Sequence, residues 1–225
     1  MTERKQPPTN DDLIDYVSSR RNYLGIERFD PRVINAMRRI DRATFAPSEA
    51  SAYIYEDEPL QIGFNQTCSQ PSMVAAMATI LDLHPGQRVL EVGTGSGYSA
   101  AVTSQLISPG GHLYSIEIID ELSEQAEKNI AALEFNPENI ELIIGDGSEG
   151  MSHNAPFDRI YFTAGVGKYF EEKPLLEQLV IGGSLVYPEA FGSLFHLKKT
   201  PAGIRRIELK GVGFVYLKGK NSGFV

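Results

Sequence analysis

The segment VLEVGTGSGY, residues 89–98, narrows the choice of fold more than any other. An apolar run ends in three glycines at alternate positions, and a helical pattern follows at once. Val89, Leu90 and Val92 suit a strand buried on both faces. Lacking a Cβ, Gly93 and Gly95 can take turn conformations closed to other residues and leave room for a ligand, while Gly97 can admit close packing of the helix behind it. Strand, glycine turn and helix in this order open a βαβ unit, the setting in which a backbone approaches a nucleotide-like ligand. A tight β–α turn that binds nothing has the same glycines, so the flanking residues must decide.

Around this segment the pattern repeats. Strands are expected over residues 88–92, 112–116, 140–144, 158–163 and 184–187, and helices over about 72–81, 98–107, 120–133 and 174–179. That alternation predicts an α/β fold, a mainly parallel, doubly wound sheet covered by helices on both faces. After Pro188, β-like runs at 194–198, 205–210 and 212–217, divided by Pro201-Ala202-Gly203 and by Gly211, predict an antiparallel end to the sheet. Upstream, beyond a polar start expected to fray, residues 11–23 and 31–40 carry apolar side chains at helical spacing, as in Ile34, Met37 and Ile40. Residues 41–66 show no clean period and read as an ordered loop packed over the core. The result is one domain: a helical cap with an active-site loop (1–69), a ligand-binding core (70–190) and a β extension (191–225).

The ligand is read from the acids. A dinucleotide fingerprint has the form G-x-G-x-x-G and holds a pyrophosphate at a helix N-terminus, whereas the spacing here is G-x-G-x-G. Glu91 precedes the turn. A carboxylate there would repel a pyrophosphate but can accept hydrogen bonds, directly or through water, from an ammonium such as the methionyl amine of S-adenosylmethionine (AdoMet). Glu117, ending the second strand, can accept both hydroxyls of a ribose, or be a strand-end surface acid. Asp146, between Gly145 and Gly147, can accept from an adenine amino group, or be an ordinary turn aspartate. Three acids on the carboxyl ends of three successive strands share the rim where open α/β sheets bind ligands. The expected AdoMet-binding set is Glu91, Gly93, Thr94, Gly95, Gly97, Tyr98, Glu117, Asp146 and Gly147.

Composition closes off other classes. A net charge of -8, with no long Lys/Arg cluster, argues against binding to a phosphate backbone. No apolar stretch reaches the ~20 residues of a membrane helix, so a soluble cytoplasmic protein is expected. The single cysteine, Cys68, leaves no internal disulfide, and the four histidines are too scattered for local metal-ligand spacing, so no metal is expected. Cys68 itself, with no histidine nearby in sequence, reads as a buried small hydrophobe. His196, among Phe195 and Leu197, reads as a surface or packed ring. No Ser-His-Asp arrangement or G-x-S-x-G elbow is evident. Gly165-Val166-Gly167-Lys168 lacks the first glycine of a phosphate loop and is followed by Tyr169 in place of a hydroxyl residue. No helix shows a spare apolar face, so a monomer is expected.

Residues 89–98, Glu117 and Gly145-Asp146-Gly147 resemble the AdoMet-binding motifs of class I methyltransferases. VLEVGTGSGYSAAV is similar to the version seen in protein-L-isoaspartate O-methyltransferases. A rarer match is Gln66-Thr67-Cys68-Ser69-Gln70-Pro71, which resembles that family's Q-T-I-S-Q-P with cysteine in place of isoleucine. The likeness extends to Asp41-Arg42 with Phe45, to Ala52-Tyr53 with Pro59-Leu60-Gln61-Ile62-Gly63, to Ala155-Pro156-Phe157-Asp158, and to Leu176-Glu177-Gln178-Leu179 with Gly182-Gly183. It departs at residues 163–170, where the family continues with alanines and a pair of prolines. It departs again at Phe214-Val215-Tyr216-Leu217, where the family has F-V-P-L.

The resemblance implies a Rossmann-like sheet, AdoMet at the strand ends with S-adenosyl-L-homocysteine (AdoHcy) as product, and an isoaspartyl protein or peptide as acceptor. Methyl transfer to the free α-carboxylate of the L-isoaspartyl residue would begin repair of the damaged chain. It also places Ser69 in the active site, where a hydroxyl can donate to the carboxylate; Thr67 assists. On spacing alone Ser69 also suits an N-cap for the helix near Ser72, with Pro71 in its first turn. An α-carboxyl of pKa ~3.5 is already ionised at neutral pH and needs no general base, so the missing triad is no obstacle. The competing readings are methylation of another carboxylate, AdoMet binding without turnover, a dehydrogenase, and a nucleic-acid methyltransferase, which the acidic charge disfavours.

Overall fold

The computed structural model describes residues 9–47, 53–135 and 137–224; the polar start before Thr9 and Ala52 lie outside them. Seven strands form the main sheet in the order β5-β4-β3-β6-β7-β8-β9. They are β3 (Arg88–Val92), β4 (His112–Glu117), β5 (Ile140–Ile144), β6 (Phe157–Phe162), β7 (Leu179–Pro188), β8 (Phe191–Thr200) and β9 (Gly203–Gly213). β5 to β7 run parallel, and β7-β8-β9 turn antiparallel. Strand β3 is central because it is apolar at every position but Arg88 and Glu91, and it pairs with β4 and β6 on its two sides.

Period-two alternation divides the side chains between two cores. Val89, Leu113, Tyr161 and Val186 pack with α1 (Asn10–Ser19), α2 (Pro31–Arg38), α3 (Pro71–Leu81) and α4 (Tyr98–Ile107), and with Ile130 of α5 (Asp120–Ala131). Leu90, Val92, Ile160, Phe162 and Leu185 face the other way, onto Leu175 of the five-residue α6 (Lys173–Glu177), Met151 and Leu217. Helices thus lie on both faces, as expected, but unequally. The crossover from β5 to β6 contains only a 3-10 turn, Ser152–Asn154, so loops cover most of the second face.

Three local expectations are corrected. Residues 60–68 hold a hairpin, β1 (Leu60–Gly63) and β2 (Gln66–Cys68), rather than plain loop. Its two turn residues, Phe64 (φ 54°) and Asn65 (φ 58°), both have positive φ, as a type I′ turn demands. Phe-Asn carries none of the Asn-Gly signature by which such turns are recognised. The strand does not break at Gly211 but runs on to Gly213, leaving residues 214–217 outside it: Ser193 pairs with Lys210 and Gly192 with Val212, so Gly211 (φ 94°) is the extra residue of a bulge. Helix α1 stops at Ser19, not at Tyr23, because Arg20 turns extended and its guanidinium pairs with Asp57 at 2.5 Å.

Candidate active site

Where β3, β4, β5 and β6 end, a cleft is walled by Gly93, Gly95, Glu117 and Gly147. Glu117 is anchored by three backbone donors: Gly95 N to Oε2 (2.9 Å), and Ile118 N (3.0 Å) and Ile119 N (3.1 Å) to Oε1. The carboxylate therefore ties the glycine turn to the end of β4. Gly93 is required here twice over: its φ is 97°, and an added Cβ would lie 2.4 Å from Thr163 Oγ1. A Cβ on Gly147 would meet Ile116 Cγ2 at 2.4 Å and Val92 Cγ1 at 3.0 Å. Glycines at this cleft bring backbone to its surface, packed too closely on Thr163, Ile116 and Val92 to admit a Cβ.

Four residues expected at the ligand stand behind this wall. Glu91 is fully buried, because it shares the parity of Val89 and so faces the helices. Its Oε2 accepts from Ser115 Oγ (2.5 Å) and its Oε1 from Tyr161 OH (2.7 Å). Burial pushes its carboxyl up to about 7 despite these hydrogen bonds. Thr94 continues the network through Ser115 Oγ (2.6 Å). Gly97 (φ 88°) starts α4, and its Cβ would meet Ile130 Cδ1 at 3.1 Å. Tyr98 is buried against Phe45, ring centroids 5.6 Å apart. These four brace the glycine turn from beneath and do not line the cleft.

Asp146 sits at the rim under the C-terminal segment. Its Oδ1 accepts from Ser148 N (2.9 Å) and its Oδ2 from Lys220 N (2.7 Å). Partial burial raises its carboxyl, but the hydrogen bonds from Lys220 and Ser148 outweigh that and hold it below the usual carboxylate range. A carboxylate has about four acceptor positions, so capacity remains for a further donor.

Beside the cleft runs a wider groove lined by Thr67, Ser69, Phe64, Phe191 and Tyr216. Gln66, Thr67, Val215, Tyr216 and Lys218 belong to both cavities and form the wall between them. Ser69 is not the cap of α3. Gln70 occupies the N-cap without a side-chain bond, and Asp57 reaches across to accept from Ser72 N (2.7 Å) and Ser72 Oγ (2.6 Å). With capping done by Asp57, the Ser69 hydroxyl makes no hydrogen bond to another described residue. The Ser69 backbone is fixed by Arg42, a fully buried guanidinium that donates to the carbonyls of Ile54, Glu56, Glu58 and Ser69. Sequence reasoning missed the work of Asp57 and Arg42. Asp57 carried no signal within its acidic run, whereas Arg42 was at least part of a family-like pair.

The two departures from the family pattern meet in space: Gly165 N donates to Val215 O (2.7 Å) and Leu217 N to Gly165 O (2.8 Å), pairing Gly165 with Tyr216. A Cβ on Gly165 would lie 2.3 Å from Ala190 Cα, so the glycine permits this close approach. Cys68 is buried, and His196 lies away from both cavities, bonded to Ser184 Oγ (3.2 Å). Burial, then the neighbouring cations, lower the His196 pKa. No cluster of three potential metal ligands occurs among the described residues. No helix among them is long and apolar enough to cross a membrane.

A mostly parallel seven-stranded sheet with an antiparallel end, and a ligand cleft at a glycine turn after its central strand, is the architecture of class I AdoMet-dependent methyltransferases. The family described as Protein-L-isoaspartate(D-aspartate) O-methyltransferase (PCMT) matches residues 10–222, and this chain belongs to it. A protein-L-isoaspartate O-methyltransferase of Methanothrix thermoacetophila is 44% identical over 205 residues, 91% of this chain and 93% of its own. One from Archaeoglobus fulgidus is 44% identical over 190 residues, covering 84% and 86%. A solved protein-L-isoaspartate O-methyltransferase superposes with a TM-score of 0.79 at 28% identity over 95% of this chain and 67% of its own. A Plasmodium falciparum protein solved with S-adenosyl-L-homocysteine shares the fold, with a TM-score of 0.78 at 23% identity over 94% and 99%.

Proposed function

We propose that the chain transfers a methyl group from AdoMet to the free α-carboxylate of L-isoaspartyl residues in damaged proteins or peptides, the opening step of their repair. The observation that carries this reading is the shared wall: the glycine-walled cleft and the groove holding Ser69 meet along Thr67 and Tyr216. A donor held in one and an acceptor held in the other come together there. The cleft fits the cofactor, because Gly93, Gly95 and Gly147 bring backbone to part of its wall and Glu117 offers an oriented carboxylate to a ribose. Asp146 keeps acceptor capacity for an adenine amino group.

When bound, AdoMet supplies a methyl carbon on a cationic sulfur, to which the acceptor oxygen bonds as the sulfur–carbon bond breaks and AdoHcy remains. The protein's own work is orientation. Ser69, its hydroxyl left unengaged by the Asp57 cap, donates to the carboxylate, and Thr67 assists from the shared wall. Holding two reactants in line is worth ~7–11 kcal/mol. An ionised carboxylate needs no general base. Glu91, Thr94, Gly97 and Tyr98 serve the site by fixing the glycine turn.

The net charge of -8 favours protein over nucleic acid as acceptor. The test is transfer of labelled methyl from AdoMet to a peptide with one isoaspartyl residue, against the aspartyl peptide. Base-labile label on the isoaspartyl peptide alone is the expected result. Equal labelling of both, or of neither while AdoHcy binds, would overturn the reading.

A further inference from the structure

Lys218 is, among the described residues, the one cationic side chain lining either the cleft or the groove, and it lines both. It is exposed, and its ammonium has no ion-pair or hydrogen-bond partner among the described residues. The segment that carries it is held in place. Leu217 N donates to Gly165 O (2.8 Å) on one side, and on the other Lys220 N donates to Asp146 Oδ2 (2.7 Å) and Asn221 N to Ser148 Oγ (2.9 Å). The Asn221 side chain adds bonds to Ser148 O (3.2 Å) and Glu171 O (2.9 Å). Lys218 is therefore presented from a pinned strap, at the junction where donor and acceptor would meet.

Its surroundings are acidic. Glu117 lines the cleft, Asp146 lies under the strap, and the chain carries a net charge of -8. An anionic acceptor approaching this rim meets like charge, which opposes binding unless a cation stands at the entry. We propose that Lys218 is an acceptor-recognition residue whose ammonium pairs with the free α-carboxylate of the isoaspartyl residue. The inference rests on the proposed function and adds a discrimination to it. Methylation turns the carboxylate into a neutral ester, so the pair exists with substrate and is lost with product. Lys218 thus favours entry of the acid and release of the ester.

The test measures binding to the AdoHcy complex of two peptides, one isoaspartyl and one with its α-carboxylate replaced by a carboxamide. The unaltered protein, Lys218→Met and Lys218→Arg are compared at low and high salt. The expected result is about a fivefold preference for the acid in the unaltered protein, in line with a partly exposed ion pair. The preference should shrink with salt, vanish in Lys218→Met and survive in Lys218→Arg, each measured with AdoHcy saturating. A preference retained in Lys218→Met would overturn the inference alone. If neither peptide binds the unaltered AdoHcy complex, the acceptor reading itself falls, and the inference with it.

Discussion

Glu117 and Ser69 stand on opposite sides of the shared wall, and their substitutions separate binding from turnover. Glu117→Ala removes the carboxylate that anchors the glycine turn through Gly95 N, so AdoHcy affinity should fall by about tenfold or more, a charge-assisted contact being worth ~1.5–3 kcal/mol. Ser69→Ala should lower kcat by about tenfold and leave AdoHcy affinity within about twofold. Calorimetry with AdoHcy and steady-state kinetics check both, and the reverse ordering would refute the roles. Glu91 makes a different prediction. The folded protein keeps its proton up to about 7, whereas an unperturbed carboxyl releases it near 4.5. The folded state therefore binds more protons across that interval, and this residue's contribution to stability falls as pH rises through it. Glu91→Gln should gain on the unaltered protein by roughly 3 kcal/mol between pH 4.5 and pH 7. A stability difference that stays flat over that range in denaturant titrations would show the carboxyl is not perturbed. At this scale the sequence reading put Gly93, Gly95, Gly147, Glu117 and Thr67 in one candidate site, and the structure gathers them around one cleft with Ser69 in the groove beside it. Glu91 lies behind the wall because parity, which a reading from its strand-end position leaves out, turns it inward. Alternation from Val89 already turned Glu91 toward the helices.

Elements were legible where period and turn chemistry agreed. Strands β3 and β5 and helix α4 have the expected bounds, since apolar runs bounded by glycine or polar turns leave few alternatives. The hairpin was not legible, because its strands are short and its turn is Phe64-Asn65. Its conformation supplies a test. A β-branched residue in the left-handed region costs ~1–2 kcal/mol, so Asn65→Val should lower stability by about that much while Asn65→Gly should not. Thermal unfolding of the two variants distinguishes them, and equal behaviour would deny the type I′ turn. Such a loss bears on the site, because β2 carries Thr67 and the hairpin sets Ile62 Cδ1 3.4 Å from where a Gly95 Cβ would be. The C-terminal segment was read as strand to residue 217, yet beyond Gly213 it becomes a strap held by Gly165, Asp146 and Ser148. Those contacts join residues far apart in the chain, which no local pattern reports.

At the scale of the molecule, β3, β4 and β5 step outward to one side of the sheet and β6 and β7 to the other. The rim where the direction reverses is where the cleft opens. Parallel sheet and antiparallel end were both foreseeable from the spacing of apolar runs, while the thin cover on the second face was not, since it depends on a β5–β6 crossover without a helix. Aromatics exposed at the groove, Phe191 at 73% and Tyr216 at 56%, belong to the acceptor side in this account rather than to a subunit interface. Light scattering should accordingly give the mass of one chain; a dimer that dissociates on Phe191→Ser would contradict that assignment.

The central claim is that donor and acceptor meet across the Thr67 wall. A crystal structure of the AdoHcy complex with an isoaspartyl peptide tests it most directly. AdoHcy is expected in the cleft against Glu117, the peptide in the groove, and one α-carboxylate oxygen beside Ser69, facing the AdoHcy sulfur. AdoHcy or the peptide bound elsewhere, or an α-carboxylate turned away from the sulfur, would contradict it.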